Sequence, residues 1–347
     1  MSTDKATVVV FGATGHTGRF VVSELVGRGM KVIAIARDEE KLKAARFPSQ
    51  GVVRRTATTD NPASLDRALE GARAVINCAG PFIDTVDAVG GAALRAKIHY
   101  LDICAEQLAA IKTLETFDEP AREAGVVFIP SVAFYGGLPD LLATAAAGKW
   151  DSVDSVEILI GLDSWHPTAG TRITIGKIGT PQVHRGGSLV PVPPSPARGA
   201  WHFGPLLGEQ PLVEVPFSEM VLIPRHLKTP NVHTYLNKMA VGEVLDAATP
   251  APKAADESGR SEQRFIVQVE VRRGDKSRSA TLEGQDIYAI SAPLIAEAVE
   301  QLLSGKISAT GAFAPSEVFD AKKFLTNFDS GASKFTLSGP RAKVTRI

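Results

Sequence analysis

The sequence is poor in cysteine and has no excess of charge. Two cysteines in 347 residues, Cys78 and Cys104, are too few for a disulfide framework or a cysteine-rich zinc site. The N-terminus has neither a basic start nor a cleavage site of small residues, so we expect a protein of the cytoplasm. The 38 Lys and Arg residues balance 38 Asp and Glu residues. Because nucleic-acid binding depends on a basic excess, it is not expected.

Long apolar runs are missing as well. The most apolar later stretch, residues 126–147, is interrupted by Pro130, Gly136 and Pro139, which predicts that it does not span a membrane. No set of His, Cys, Asp and Glu residues has the spacing of metal ligands, so no metal is expected.

From about residue 7 to residue 132, short apolar runs alternate with segments of helical period. Five of the six apolar runs are nearly continuous and rich in Val and Ile, which is typical of parallel strands covered on both faces. This predicts an α/β fold with a doubly wound (Rossmann) parallel sheet of six strands and five crossovers. The predicted strands are residues 7–12, 31–36, 51–56, 74–78, 100–104 and 126–132. The predicted helices are residues 17–28, 39–45, 61–69, 84–96 and 106–124.

The pattern changes after residue 151. Residues 155–161 and 265–273 alternate apolar and polar side chains, as do antiparallel strands with one solvated face. A turn at Gly274 and Asp275 predicts a return strand over residues 277–282. These strands predict a second domain with a mainly antiparallel sheet.

Two loop-rich segments accompany that sheet. Ten of the 22 prolines lie between residues 181 and 230, which predicts loops and short strands that form a lid or a dimer arm. The composition of residues 249–263 predicts an exposed loop. The hairpin and the proline-rich arm together favour a homodimer through the second domain.

The helical period returns over residues 291–303, and we expect that helix to pack on the first domain. We therefore assign residues 1–135 and 285–347 to the Rossmann domain. Residues 136–284 are assigned to an inserted α+β domain for the substrate and for dimer contacts.

A glycine-rich turn joins the first strand to the first helix. Glycines at 12, 15 and 18 let the backbone approach a pyrophosphate, whose charge is then held by free amides at a helix N-terminus. The turn lacks the Gly-Lys-Ser/Thr ending of ATP and GTP sites. The predicted dinucleotide-binding residues here are Gly12, Ala13, Thr14, Gly15, His16, Thr17 and Gly18.

The end of the second strand distinguishes between cofactors. An acidic residue there would hold a ribose 2′-hydroxyl, whereas this chain has Arg37, whose guanidinium suits a 2′-phosphate. NADP is therefore predicted in preference to NAD; the alternative is that Asp38 binds the ribose. Asp60 either meets the adenine or caps the following helix.

The fourth, fifth and sixth strand ends are expected to surround the nicotinamide. None of the four tyrosines is followed by a lysine four residues later, which excludes the tyrosine–lysine chemistry of short-chain reductases. The predicted cofactor contacts are Cys78, Ala79, Gly80, Pro81 and Phe82. The predicted catalytic residues are Tyr100, Asp102 and Tyr135, with Glu106, Arg225 and His226 as further candidates for proton transfer.

Three strand ends carry a resemblance to a known family. Residues 12–19 (GATGHTGR), 77–82 (NCAGPF) and 99–106 (HYLDICAE) resemble the saccharopine dehydrogenase-like oxidoreductases, in the branch that includes trans-acting enoyl reductases. The resemblance implies an NADP-binding Rossmann domain with an inserted α+β domain.

The expected function is that of an NADP(H)-dependent oxidoreductase of this type. It would transfer a hydride to or from a C=N or C=C bond of a small-molecule substrate whose identity the sequence does not give. The alternative is a non-enzymatic NADP-binding redox sensor or scaffold.

Overall fold

The computed structural model describes residues 6–177, 179–192, 199–327 and 333–342 of the 347. The part of the proline-rich arm at residues 193–198 lies outside them, as do the ends of the predicted first domain at 1–5 and 343–347. Among the described residues, no helix combines the length and apolarity needed to cross a membrane.

The first domain is a parallel sheet with helices on both faces. Its strands are β1 Thr7–Phe11, β2 Lys31–Ala36, β3 Val52–Thr56, β4 Ala74–Asn77, β5 His99–Asp102 and β6 Val127–Ile129. Its helices are α1 His16–Gly27, α2 Glu39–Ala44, α3 Pro62–Leu69, α4 Phe82–Ala96, α5 Gln107–Thr116 and α6 Asp118–Ala124. The strands lie in the order β6-β5-β4-β1-β2-β3, so the predicted doubly wound sheet is confirmed. The order reverses beside β1, the usual ligand position in such sheets.

The helix predicted over residues 106–124 is divided into α5 and α6. Pro120 has no N–H to donate to the carbonyl of Thr116, so the helical bonding pattern stops there and starts again. Phe117, at the junction, is buried and stacks on Phe128 with ring centroids 5.2 Å apart. The break therefore directs an aromatic side chain into the core.

The second domain is built on a mixed sheet. Its strands are β7 Ser155–Leu162, β8 Gln182–Arg185, β9 Ser188–Pro191, β10 Ala200–His202, β11 Glu209–Glu214, β12 Val232–Asn237, β13 Arg264–Arg273 and β14 Lys276–Gln285. Its helices are α7 Gly137–Ala147, α8 Ala169–Ile175, α9 Glu219–Leu222 and α10 Lys238–Leu245. Apart from the parallel pair of β7 and β12, the pairings are antiparallel. The inward side chains of β7 and β13 alternate along each strand and are buried.

The last part of the chain contributes to both sheets. Its elements are α11 Ser291–Leu303, β15 Gly311–Ala312, α12 Pro315–Val318, α13 Ala321–Thr326 and β16 Ser333–Ala342. Helix α11 packs on α1, as expected, and Arg28 of α1 donates hydrogen bonds to Glu297 (2.8 Å) and Glu300 (2.9 Å). Strand β15 adds a seventh parallel strand beside β6.

The position of strand β16 does not agree with the predicted domain assignment. It pairs with β14 of the second sheet, whereas residues 285–347 were all assigned to the first domain. The β13–β14 hairpin is consequently held between β7 and β16 and leaves no open strand edge. Unpaired strand edges are what favour pairing between copies, so the hairpin argument for a homodimer is lost and the dimer stays a prediction.

Candidate active site

A cleft of about 830 Å³ follows the carboxyl ends of the first-sheet strands. One end is lined by the glycine-rich turn, Arg37 and Asp60. The other is lined by Phe134, Tyr135 and residues of the second domain. Its length along the sheet suits an extended ligand such as a dinucleotide.

The glycine-rich turn is fixed by its own backbone. The amides of Gly12 and Ala13 both donate to the carbonyl of Ile35 at 3.0 Å, and the amide of Gly15 donates to the carbonyl of Gly12 at 3.0 Å. Gly12 has φ +82°, and a Cβ there would lie 2.9 Å from the amide nitrogen of Ala79. Helix α1 then starts at His16 without an acidic residue in its first turn. Its free amides therefore suit a phosphate.

Substitution of Gly18 tests the geometry of the glycine-rich turn. A Cβ at residue 18 would lie 2.3 Å from the carbonyl oxygen of Gly12, so Gly18→Ala must move the turn. We expect the free energy of unfolding to fall by about 2 kcal/mol and NADPH binding to be lost, measured by urea denaturation and calorimetric titration. The control is Gly27→Ala on the same helix, where a Cβ would meet nothing within 4 Å. Equal stability of the two variants would contradict the reading.

Arg37 and Asp38 have different environments. Arg37 is exposed at the cleft, and its guanidinium makes no hydrogen bond or ion pair with another described residue. The Asp38 carboxylate accepts from the amide of Lys41 at 3.0 Å and caps α2. This backbone hydrogen bond lowers the pKa of Asp38. Asp38 is thus occupied, whereas Arg37 is available.

Asp60 also lines the cleft. The residue that caps the following helix is its neighbour Asn61, whose side chain accepts from the amide of Ser64 at 3.0 Å. The capping role considered for Asp60 is therefore filled by Asn61, and Asp60 stays exposed at the rim.

Asn77, at the end of β4, holds the loop that follows it. The Asn77 amide donates to Thr85 (2.9 Å) and to the hydroxyl of Tyr100 (3.2 Å), and its oxygen accepts from the amide of Ala79 (3.0 Å). Thr85 in turn donates to the carbonyl of Ala79 at 2.9 Å. Ala79 and Gly80 are thereby fixed where they line the cleft.

Tyr100 and Asp102 are fully buried and do not line the cleft. The Tyr100 hydroxyl donates to Asp102 at 3.0 Å, and Asp102 also accepts from the amides of Cys104 (3.0 Å) and Ser131 (2.7 Å). Burial raises the pKa of both groups. The two residues join the ends of β4, β5 and β6 from below the cleft floor.

The Glu106 side chain lies at the N-terminus of α4. Its carboxylate accepts from the amides of Phe82 and Ala105, each at 3.0 Å. Burial raises the pKa of Glu106, and both oxygens already have donors. Of the other predicted cofactor residues, Cys78 and Phe82 line the cleft, whereas Ala13, Gly18 and Pro81 do not.

The far end of the cleft is aromatic. Tyr135 stacks on Phe217 with ring centroids 4.0 Å apart and lies 5.5 Å from the ring of Trp165. The Tyr135 hydroxyl is buried without a hydrogen-bond partner among the described residues. Burial, followed by the charges of Tyr288 and Glu219, raises its pKa. An unpaired buried hydroxyl is costly, so this group suits a bound partner.

Residues 8–129 match the family model of the saccharopine dehydrogenase NADP binding domain. Residues 8–129 are therefore similar to this family, and we refer to the first domain as the NADP-binding domain. The resemblance predicted from residues 12–19, 77–82 and 99–106 is thus confirmed. The NADP-binding domain contains every predicted cofactor contact.

Curated relatives agree over the same region. A probable mitochondrial saccharopine dehydrogenase-like oxidoreductase of Arabidopsis thaliana is 29% identical over 181 residues, 47% of this chain and 40% of the relative. A saccharopine dehydrogenase-like oxidoreductase of Rattus norvegicus is 31% identical over 145 residues, 37% of this chain and 34% of the relative. A lipid droplet localized protein of Caenorhabditis elegans is 29% identical over 187 residues, 48% of this chain and 43% of the relative. The chain therefore spans less than half the length of these relatives.

The fold as a whole is similar to a solved structure. Apo saccharopine dehydrogenase (L-Glu forming) from Saccharomyces cerevisiae superposes with a TM-score of 0.66 and 13% identity, over 96% of this chain and 100% of that chain. The predicted combination of a Rossmann domain and an inserted α+β domain is confirmed.

A segment of the second domain, residues 165–175, covers the far end of the NADP-binding domain's cleft. The hydroxyl of Tyr288 accepts from the indole of Trp165 (3.2 Å) and the amide of Thr168 (3.3 Å), and it bonds to the hydroxyl of Thr171 (3.1 Å). Helix α8 continues the segment, and Lys177 beyond it pairs with Asp84 of the NADP-binding domain. Sequence reasoning missed this cover, because its bonds to Tyr288 join residues more than 100 positions apart.

His16, in the glycine-rich turn of the NADP-binding domain, packs against Tyr288, the residue to which the covering segment bonds. Its ring lies 5.4 Å from that of Phe20 and 5.3 Å from that of Tyr288, both edge to face. Burial lowers the pKa of His16, and its Nε2 atom is buried without a partner among the described residues. His16 therefore offers a second unused hydrogen-bonding atom.

Arg225 and His226 do not line the cleft, contrary to expectation. His226 bonds to the fully buried Asp140 at 2.6 Å, and Arg225 pairs with Glu317 at 2.8 Å. Since both partners lie outside the cleft, the pair joins α7 and α12 to the segment after α9. The sequence of a proline-flanked loop does not show which acidic residue will pair with an arginine or histidine in that loop.

His226 gives the fold a pH dependence. Burial opposes its charge, but the carboxylates of Asp140 and Glu317 outweigh this and raise its pKa above 6.5, with Arg225 opposing. A raised pKa contributes stability that is fully present below pH 6.5 and is lost as pH rises through the folded value. We expect His226→Asn to remove roughly 1 kcal/mol of unfolding free energy at pH 6 and less at pH 9, measured by urea denaturation. The same loss at both pH values would contradict this.

Proposed function

We propose that the chain is an NADP(H)-dependent oxidoreductase that transfers a hydride to or from a C=N or C=C bond. The observation that supports this most is the continuity of the cleft. It leads from an anion-binding turn and Arg37 to an aromatic end where the Tyr135 hydroxyl has no partner among the described residues. A redox sensor needs only the dinucleotide half of such a cleft.

The dinucleotide half fits NADP by its donor chemistry. The amides at the start of α1 and the glycines at 12 and 15 would hold the pyrophosphate. The Arg37 guanidinium would bind the 2′-phosphate, which supports a preference for NADPH over NADH. Asp60 at the rim would meet the adenosine. When bound, NADPH supplies the hydride.

Of the three predicted catalytic residues, we propose Tyr135 as the proton donor. A tyrosine hydroxyl is protonated at neutral pH, burial raises the pKa of this one further, and it lies at the aromatic end where substrate would bind. Tyr100 and Asp102 act as positioning residues, since they hold Asn77, Cys104 and Ser131 at the strand ends. Trp165 and Phe217 exclude water around the reacting group.

Calorimetric titration of the protein with NADPH and with NADH at fixed salt tests the cofactor assignment. We expect NADPH to bind at least about tenfold more tightly. A screen that follows NADPH consumption at 340 nm then tests the catalytic assignment. Tight NADPH binding without turnover of any C=N or C=C compound would favour the sensor, and binding of neither cofactor would overturn both readings.

A further inference from the structure

The substrate end of the cleft has no available charge. We propose that the substrate is uncharged and mainly apolar, with one or two hydrogen-bond acceptors beside the reacting bond. This rests on the proposed function. It differs from a substrate held by carboxylate or ammonium groups, which would need a complementary charge in the cleft.

The ionisable groups that line the cleft are used elsewhere. Arg37 and Asp60 lie at the dinucleotide end, near the glycine-rich turn, and Glu106 already accepts from two backbone amides. No lysine is among the described residues that line the cleft, and Arg37 is the single arginine among them. A substrate carboxylate would therefore be buried without a cation.

Arg172 in the covering segment and Lys177 just beyond it are held away from the cleft. Arg172 donates to the carbonyl of Thr249 at 2.5 Å and to that of Asp246 at 3.3 Å. Lys177 pairs with Asp84. Neither lines the cleft, so the segment brings no charge to the substrate end.

Other charged side chains lie behind Tyr288. A second cavity of about 540 Å³ is lined by His166, Lys253 and Glu262, and Tyr288 lines both cavities. Because its hydroxyl bonds to Trp165 and to the amide of Thr168, Tyr288 is fixed as a wall between them. A charged group of the substrate would have to displace this ring to reach Lys253.

The surfaces that remain are mainly apolar, with the threonines of the covering segment on one side and two buried polar atoms without a partner among the described residues. The apolar walls are the rings of Phe134, Tyr135, Trp165 and Phe217 and the side chain of Ile287. The atoms without a partner are the Tyr135 hydroxyl and Nε2 of His16, and burial keeps His16 neutral by lowering its pKa. Aromatic walls favour a flat group, and two neutral polar atoms suit a carbonyl or imine acceptor.

Two probes of the same shape and different charge test the proposal. The protein loaded with NADPH, whose dihydronicotinamide ring is neutral, is titrated with trans-cinnamamide and with trans-cinnamate, and binding is followed by the quenching of tryptophan fluorescence. We expect the amide to bind at least about tenfold more tightly, because a buried carboxylate without a partner is costly. Equal binding, tighter cinnamate binding, or no binding of the amide up to its solubility limit would overturn the proposal.

A variant that adds a cation tests the same point in reverse. Thr174 lines the cleft on α8 and is half-buried, so Thr174→Lys introduces a charge at a tolerant helical position, with Thr174→Gln as the uncharged control. We expect Thr174→Lys to bind cinnamate at least about tenfold more tightly than Thr174→Gln does, with the NADPH affinity of each variant measured alongside. No gain for Thr174→Lys would overturn the proposal. Loss of NADPH binding by the unaltered protein would instead overturn the proposed function.

Discussion

Replacing Arg37 with aspartate is expected to weaken NADPH binding about 100-fold and to change NADH binding by no more than about twofold. The guanidinium lies exposed at the cleft with no hydrogen bond or ion pair to another described residue. The substitution therefore removes a charge-assisted contact with the 2′-phosphate and adds repulsion. NADH has a neutral 2′-hydroxyl there, and an aspartate can accept its hydrogen bond.

The matched control is Arg46→Asp, the same change of charge at an exposed residue of the NADP-binding domain outside the cleft. Calorimetric titrations of both variants at fixed salt separate a local contact from a change in the overall field. Equal weakening of NADPH and NADH by Arg37→Asp would overturn the 2′-phosphate assignment and leave Asp38 or Asp60 as the ribose contact.

Removing the Tyr135 hydroxyl is expected to lower kcat about 100-fold or more while making the protein more stable. A positioned proton donor contributes about 10²- to 10⁴-fold to the rate. The hydroxyl is buried without a partner among the described residues, so Tyr135→Phe removes an unsatisfied group. We expect about 1 kcal/mol of added unfolding free energy. Loss of activity with a gain of stability is typical of a catalytic group and not of a structural one.

Three measurements on Tyr135→Phe check this: NADPH affinity, urea denaturation and turnover of the compound that the NADPH-consumption screen identifies. Tyr235→Phe, in β12 outside the cleft, is the control for loss of a tyrosine hydroxyl. Unchanged kcat in Tyr135→Phe would show that the proton comes from another source, and His16 would be the next candidate.

The NADP-binding domain was the part most accessible to sequence reasoning. Its strands are buried on both faces, so their apolar runs stand out, and Gly15 and Gly18 of its turn are required by contacts with the nearby carbonyl of Gly12. The two-residue strand Gly311–Ala312 is too short to give a periodic pattern. Sequence placed Tyr100 and Asp102 correctly on the fifth strand. It did not show that their side chains bond to each other and to Ser131 beneath the cleft.

The substrate half was less accessible because its residues come together only in three dimensions. Trp165, Phe217 and Tyr288 lie in different segments of the second domain and its exit, and each taken alone is an ordinary aromatic residue. The hydrogen bonds of the Tyr288 hydroxyl to Trp165, Thr168 and Thr171 join positions that are 117 to 123 residues apart. No spacing rule for neighbouring residues detects such a group.

The path of the C-terminal segment means that the cofactor half is not a detachable module. A fragment that ended near residue 132 would contain the whole family match, yet it would leave β6 without its neighbour β15 and α1 without α11. The carboxylates of Glu297 and Glu300 would also be lost from Arg28. The boundary of sequence similarity is therefore not a boundary of autonomous folding, and grafting this coenzyme site onto another scaffold would require residues from both ends of the chain.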